Sequence, residues 1–199
     1  MNRAIVVVVA AALAVAACKK PPPDYPYNKL PDPRSRELVL GVGDTIGITV
    51  WDNTAFNTVG TVRPDGTITM PLVGDLKAAG ETPSTLRDHI SDKIGQFVHL
   101  TGPAVQVAVT GWHSYRFRVD GEIVKPGVYQ QDQYLTVADA IALAGGPTRF
   151  ARRDDIKVFR VDAKTHQTVA IPIDYDMLTS GKRPDMNFWI LPGDAINIP

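Results

Sequence analysis

Residues 117–148 read FRVDGEIVKPGVYQQDQYLTVADAIALAGGPT, and the punctuation of this stretch sets the fold of the C-terminal half. Phe117 and Val119 alternate with polar neighbours, the period of two that marks a half-buried strand. Lys125-Pro126-Gly127 is a turn flanked by two such strands. Thr136 with Asp139 makes a capping-box-like helix start, and Val137, Ala138, Ile141, Ala142 and Ala144 carry the helix onward. Gly145-Gly146 followed by Pro147 closes it. Beyond it, Ile156–Val161 and Val169–Ile173 read as strands, and Leu191-Pro192-Gly193-Asp194 turns the chain into a last one carrying Ile196 and Ile198.

The N-terminal half has the same texture. Gly41-Val42-Gly43-Asp44 is a turn, after which Ile46, Ile48 and Val50 alternate with polar residues up to Trp51. Val62 to Met70 reads as a hairpin around Asp65-Gly66. Thr82 followed by Pro83 starts a helix whose apolar stripe is Leu86, Ile90, Ile94 and Phe97. Val105, Val107 and Val109 form the next strand. The expected fold is α+β: two small strand-rich modules, residues 38–112 and 113–199, each with one helix, the second β-grasp-like. The two Gly-Asp pairs, Gly43-Asp44 and Gly193-Asp194, lead into similar Ile-x-Ile strands and read as structural corners.

Composition excludes several functions. The 199 residues hold 21 Lys+Arg against 21 Asp+Glu, so no basic excess exists to grip a nucleic-acid backbone. One cysteine makes no internal disulfide, and no Cys/His spacing suits a structural zinc. The 16 glycines and 16 prolines point to many tight turns between short strands.

That cysteine stands at a telling place. Asn2-Arg3 precedes an unbroken apolar run, Ala4 to Ala17, which is short for a bilayer span of about 20 residues and fits the h-region of a secretory signal. The run ends in Val15-Ala16-Ala17-Cys18, followed by Lys19-Lys20. Small residues before a cysteine resemble the lipobox of bacterial lipoproteins, which implies cleavage of residues 1–17 and lipid on Cys18. Ordinary signal cleavage after Ala14-Val15-Ala16 and an incidental thiol are the competing readings. Several acyl chains would anchor the protein stably, and Lys19 after the cysteine favours, by the same resemblance, the outer membrane. Residues 18–37, with their run of prolines, read as a semi-rigid extended tether.

No catalytic constellation appears. His89, His99, His113 and His166 are dispersed without metal-ligand spacing. Gly145-Gly146 follows a helix, whereas a nucleotide-binding loop precedes one. Asp154-Asp155 lies beside Arg152 and Arg153 and reads as a loop with local ion pairs. No catalytic residue, cofactor or metal is therefore assigned. Trp51, Trp112 and Trp189 are candidates for stacking on sugar rings or for packing, with Trp112 expected to be the best exposed. Tyr115, Arg116, Arg118, Arg149, Arg152 and Arg153 are candidate subunit contacts or plain solvated surface.

In order along the chain, LGVGDTIGITVWD, VRPDGTITMPLVGDLKAAGETPSTLRDHI, VDGEIVKPGVY, LTVADAIALAGGPT and LPGDAINIP resemble the outer-membrane polysaccharide export (OPX, Wza-like) lipoprotein family. The first module is similar to its polysaccharide export domain and the second to its soluble-ligand-binding β-grasp (SLBB) domain. The resemblance implies a non-enzymatic periplasmic lipoprotein, anchored in the outer membrane by Cys18, that forms a homo-oligomeric ring and passes polysaccharide outward. It implies an inner-membrane polysaccharide co-polymerase as partner, often one carrying a tyrosine kinase. Wza-like members continue with further β-grasp modules and a C-terminal amphipathic pore helix, whereas this sequence stops at Pro199. The expectation is thus a ring or adaptor beneath a separate outer-membrane β-barrel. The alternative is a monomeric periplasmic carbohydrate-binding lipoprotein.

Overall fold

The computed structural model describes residues 23–99, 104–162 and 165–199. The apolar run, Cys18 and Lys19-Lys20 lie outside the described residues.

The first module is built on an antiparallel sheet of β1 (Thr45–Val50), β2 (Thr58–Thr61) and β5 (Val105–Gly111), in the order β2-β1-β5. The alternation foreseen in β1 places Ile46, Ile48 and Val50 in the core. A separate two-stranded sheet pairs β3 (Thr67–Met70) with β4 (Gly74–Lys77). The Asp65-Gly66 turn closes locally, the Gly66 N–H donating to the Arg63 carbonyl at 2.8 Å, but the expected hairpin does not run on into a ladder between β2 and β3. The turn is a corner at which the chain leaves one sheet for another, held by a bond from the Arg63 N–H to the Thr67 carbonyl (2.9 Å). The ladder partner of β3 is the next strand, β4, with Met70 opposite Gly74.

Helix α1 (Pro83–Ile94) starts where Thr82 caps it, with a capping box to Thr85 and proline in the first turn. Leu86, Ile90 and Ile94 are fully buried, each contributing about 1.5–3 kcal/mol of apolar burial. Phe97 departs from the expected stripe. It lies past the helix end and is 60% exposed, because the chain turns at Gly95 before the next helical position can face the core.

The second module is a five-stranded sheet in the order β7-β6-β10-β8-β9. Its strands are β6 (Arg116–Gly121), β7 (Gly127–Gln130), β8 (Ile156–Val161), β9 (Thr168–Ile173) and β10 (Ala195–Ile198). The last strand enters the middle, parallel to β6 and antiparallel to β8. Val119, Ile196, Val158 and Ile171 stand opposite one another across four strands and are all buried. They share one core with Val137, Ala140 and Ile141 of α2 (Val137–Leu143), whose Thr136–Asp139 capping box forms as read. A mixed sheet wrapped on one helix is the β-grasp-like layout expected. A further short helix, α3 (Tyr175–Thr179), is capped by Asp174; at five residues it is too short to leave a periodic trace. Gly121, at φ +91°, is required where β6 meets β10, since a Cβ there would collide with the Ile198 carbonyl.

The reading of residues 18–37 as a spacer needs correcting at Tyr25–Leu30. Tyr27 is 4% exposed and belongs to the core of the second module. Its ring stacks on Phe188 at 6.1 Å, and its hydroxyl donates to the Pro172 carbonyl at 2.5 Å. Arg34 lies over the Trp189 ring at 4.1 Å. The segment is a strap along the edge strand β9. Pro172, with no N–H to offer and its carbonyl taken by Tyr27, blunts that edge at its C-terminal half, while Thr168, Val169 and Ala170 stay exposed.

Candidate functional site

Of the buried polar side chains among the described residues, the most heavily bonded is at the join of the modules. Asp44 is fully buried. Its Oδ1 accepts from the backbone N–H groups of His113 (2.8 Å) and Ser114 (2.7 Å), and its Oδ2 from the Gly41 N–H and the Ser114 hydroxyl, both at 2.8 Å. His113 completes the join through Nδ1, 3.1 Å from the Gly43 carbonyl. The carboxylate thus ties the first turn of one module to the connection entering the other, and no acceptor capacity is left for a substrate.

Asp194 repeats the local geometry. Each aspartate's N–H bonds to the carbonyl three residues back, and each carboxylate accepts from the N–H of that same residue, Gly41 or Leu191. Asp194 spends its remaining capacity on Arg160, with contacts of 2.9 and 2.6 Å. Both Gly-Asp pairs are corners.

Tyr115 is not a surface contact. It is fully buried, its hydroxyl accepting from the Leu135 N–H and donating to the Ile190 carbonyl, both at 3.1 Å. Burial pushes its phenol up to about 12. Trp112 is half-buried, stacked on Tyr115 at 5.0 Å and set edge-on to Tyr134. The exposed tryptophan is instead Trp51, at 78%, because it follows the last inward residue of β1. Trp189 is half-buried under Arg34.

The remaining candidates separate. His89 is exposed, with Nδ1 3.0 Å from Glu81. Among the described residues no group of three or more His, Cys, Asp or Glu is placed to hold a metal. Asp155 pairs loosely with Arg152 (3.8 Å) and Lys157 (3.9 Å), while Arg153 reaches Asp176 on α3 at 2.8 Å. Arg149 lies over the exposed Phe150 ring. Arg116 and Arg118 are exposed on the sheet face turned away from α2.

That outer face carries a row across all five strands: Val128, Arg118, Ala195, Phe159 and Ala170. Val128 is 69% exposed. At the β7 edge, Arg116 and Arg118 direct their backbone groups toward the β10 side, so Phe117 and Val119 bond β7. The backbone groups of Val128 and Gln130 consequently face outward. A second feature is a cleft of about 450 Å³ between the strap and the β8–β9 hairpin. The sequence reading missed it, and its one advance signal was the pair Tyr25 and Tyr27 set in an otherwise polar, proline-rich stretch.

Comparison with known families places these modules. The profile of the polysaccharide biosynthesis/export proteins matches residues 32–110, and that of the SLBB domain matches residues 116–171. The chain belongs to the polysaccharide export protein family. Asp44 lies within the first matched region, and the residues it holds, His113 and Ser114, fall between the two. The central strand β10 lies after the SLBB match, yet it completes that sheet.

Several curated members of this family are similar. The EPS I polysaccharide export outer membrane protein EpsA of Ralstonia solanacearum is 32% identical over 131 residues, covering 54% of this chain and 34% of EpsA. The exopolysaccharide production protein ExoF of Rhizobium meliloti is 32% identical over 127 residues, covering 58% of this chain and 30% of ExoF. The capsule polysaccharide export protein BexD of Haemophilus influenzae is 23% identical over 178 residues, covering 80% of this chain and 43% of BexD. The chain thus spans between 30% and 43% of the length of these relatives. No helix among the described residues is long and apolar enough to cross a membrane.

Proposed function

We propose that the protein is a non-catalytic structural component of a bacterial polysaccharide export assembly. Lipid on Cys18 anchors it in the outer membrane, facing the periplasm. Copies assemble into a ring that takes polymer from an inner-membrane co-polymerase and passes it to a separate outer-membrane β-barrel.

The observation that carries this reading is the unequal treatment of the two sheet edges. The strap bonds β9 at Pro172, whereas β7 and the outer row beginning at Val128 are left open among the described residues. An uncovered edge beside exposed apolar side chains is a surface for association. A heterologous contact of this kind closes rings when the rotation between copies permits.

Light scattering on the lipid-free chain over a range of concentrations, alone and with its β-barrel and co-polymerase partners, tests assembly. An oligomer is expected, at least with the partners. A monomer that bound purified glycan would favour the carbohydrate-binding lipoprotein instead, with the exposed Trp51 as its stacking surface. A deletion strain should lose surface or secreted polysaccharide. Cys18→Ser should abolish palmitate labelling and release the protein from membranes; persistent labelling would refute the anchor.

A further inference from the structure

The cleft beneath the strap has a composition that the assembly role does not use. Resting on the export reading above, we infer that it is a transit site for an acidic sugar unit of the polymer. The sugar's carboxylate sits on Lys29 and Arg36, and the apolar face of its ring lies against Tyr25 and Val169.

Four observations carry this. The volume of about 450 Å³ lies within the range of small-ligand sites, about 300–1,000 Å³. Two of the cations lining it, Lys29 and Arg36, have side chains with no hydrogen-bond or ion-pair partner among the described residues. The third, Arg160, is neutralised by Asp194, yet its Nη1 is buried without an acceptor among the described residues. The acid in the wall, Asp162, accepts from the Thr165 N–H and hydroxyl and keeps its charge. Lys29 and Arg36 together outweigh that one carboxylate, so the wall favours an anion.

The remaining lining is apolar or aromatic: Tyr25 and Leu30 from the strap, and Val161, Val169 and Ile171 from the hairpin. A small inorganic anion would leave that surface uncovered. A wholly apolar ligand would strip water from two unpaired cations. A sugar acid offers both a carboxylate and a C–H face, and so matches the two halves of the cleft. Lys29 and Arg36 are exposed, so water screens their charge and the contact is weak and quickly released, as passage of a polymer requires. The site exists only because the strap docks through Tyr27, which makes the strap part of the binding wall.

The test is NMR titration of the full mature chain with oligogalacturonate, a neutral dextran oligosaccharide and inorganic phosphate, at low and high salt. Oligogalacturonate is expected to shift the Lys29 and Val169 amides saturably, with affinity falling as salt rises. Lys29→Gln combined with Arg36→Gln should weaken it at least tenfold while leaving the spectrum of the two cores unchanged. Equal binding of dextran, equal binding of phosphate, or undiminished binding by the double variant would each overturn the inference. Normal export in a deletion strain would refute the export reading while leaving oligogalacturonate binding to be judged separately.

Discussion

Asp44→Asn is the most informative single substitution, because it keeps the shape of the corner and changes its chemistry. The carboxylate accepts four hydrogen bonds in a site with no solvent exposure. With the amide oxygen toward His113 and Ser114, the two bonds at Oδ1 survive in neutral form. The amide nitrogen then faces the Gly41 N–H, donor against donor, and only the Ser114 hydroxyl can turn to accept. Bonds to charged acceptors are worth about 1.5–3 kcal/mol each, and an orphaned buried donor costs about 1–3 kcal/mol. Weakening two bonds and orphaning one N–H should therefore cost about 3–4 kcal/mol, from a total that for most domains is about 5–15 kcal/mol. Urea denaturation followed by tryptophan fluorescence measures the loss, since Trp112 packs beside the join. Hydrogen exchange at the His113 and Ser114 amides reports on the join itself. A merely local cap would lose no more than about 2 kcal/mol, with those amides still protected; that result would refute Asp44 as the tie between modules.

Three further outcomes follow from the packing. Gly121→Ala should destabilise by at least about 3 kcal/mol, adding left-handed backbone strain to a collision with the Ile198 carbonyl; a thermal shift of a degree or less would contradict it. Ile90→Ala should cost about 2–5 kcal/mol, whereas Phe97→Ala, at an exposed position, should stay within about 0.5 kcal/mol; denaturant midpoints compare the two directly. Burial raises both Tyr27 and Tyr115 to about 12, above the unfolded value near 10. Stability held below pH 10 should be lost between pH 10 and 12, by about 2–3 kcal/mol per tyrosine. Tyr27→Phe should flatten that decline, as read from denaturation midpoints across the pH series.

Helix α1 was legible because Thr82, Pro83 and a three-to-four-residue stripe are local signals with local causes. Strand β1 was legible because one face is buried and the period of two follows directly. The Asp65-Gly66 turn was legible as a turn but not as a corner, because how far a pairing runs on from its turn is decided by packing and not by the turn residues. The cleft was illegible for the same reason: Tyr25 and Val169 lie more than a hundred residues apart and meet only when Tyr27 docks on the strand holding Pro172.

The sequence by itself determined the α+β class, the helix caps, the two Gly-Asp corners and the resemblance that the family comparison upheld. These are short-range patterns, written within a few residues of one another. Tertiary structure alone decided that Asp44 joins the modules, that Tyr115 is core and Trp51 surface, and that the proline-rich segment is a strap. Each of those depends on which distant group satisfies a buried hydrogen bond or covers an apolar face. Local propensity carries no record of that choice, because it is made by packing.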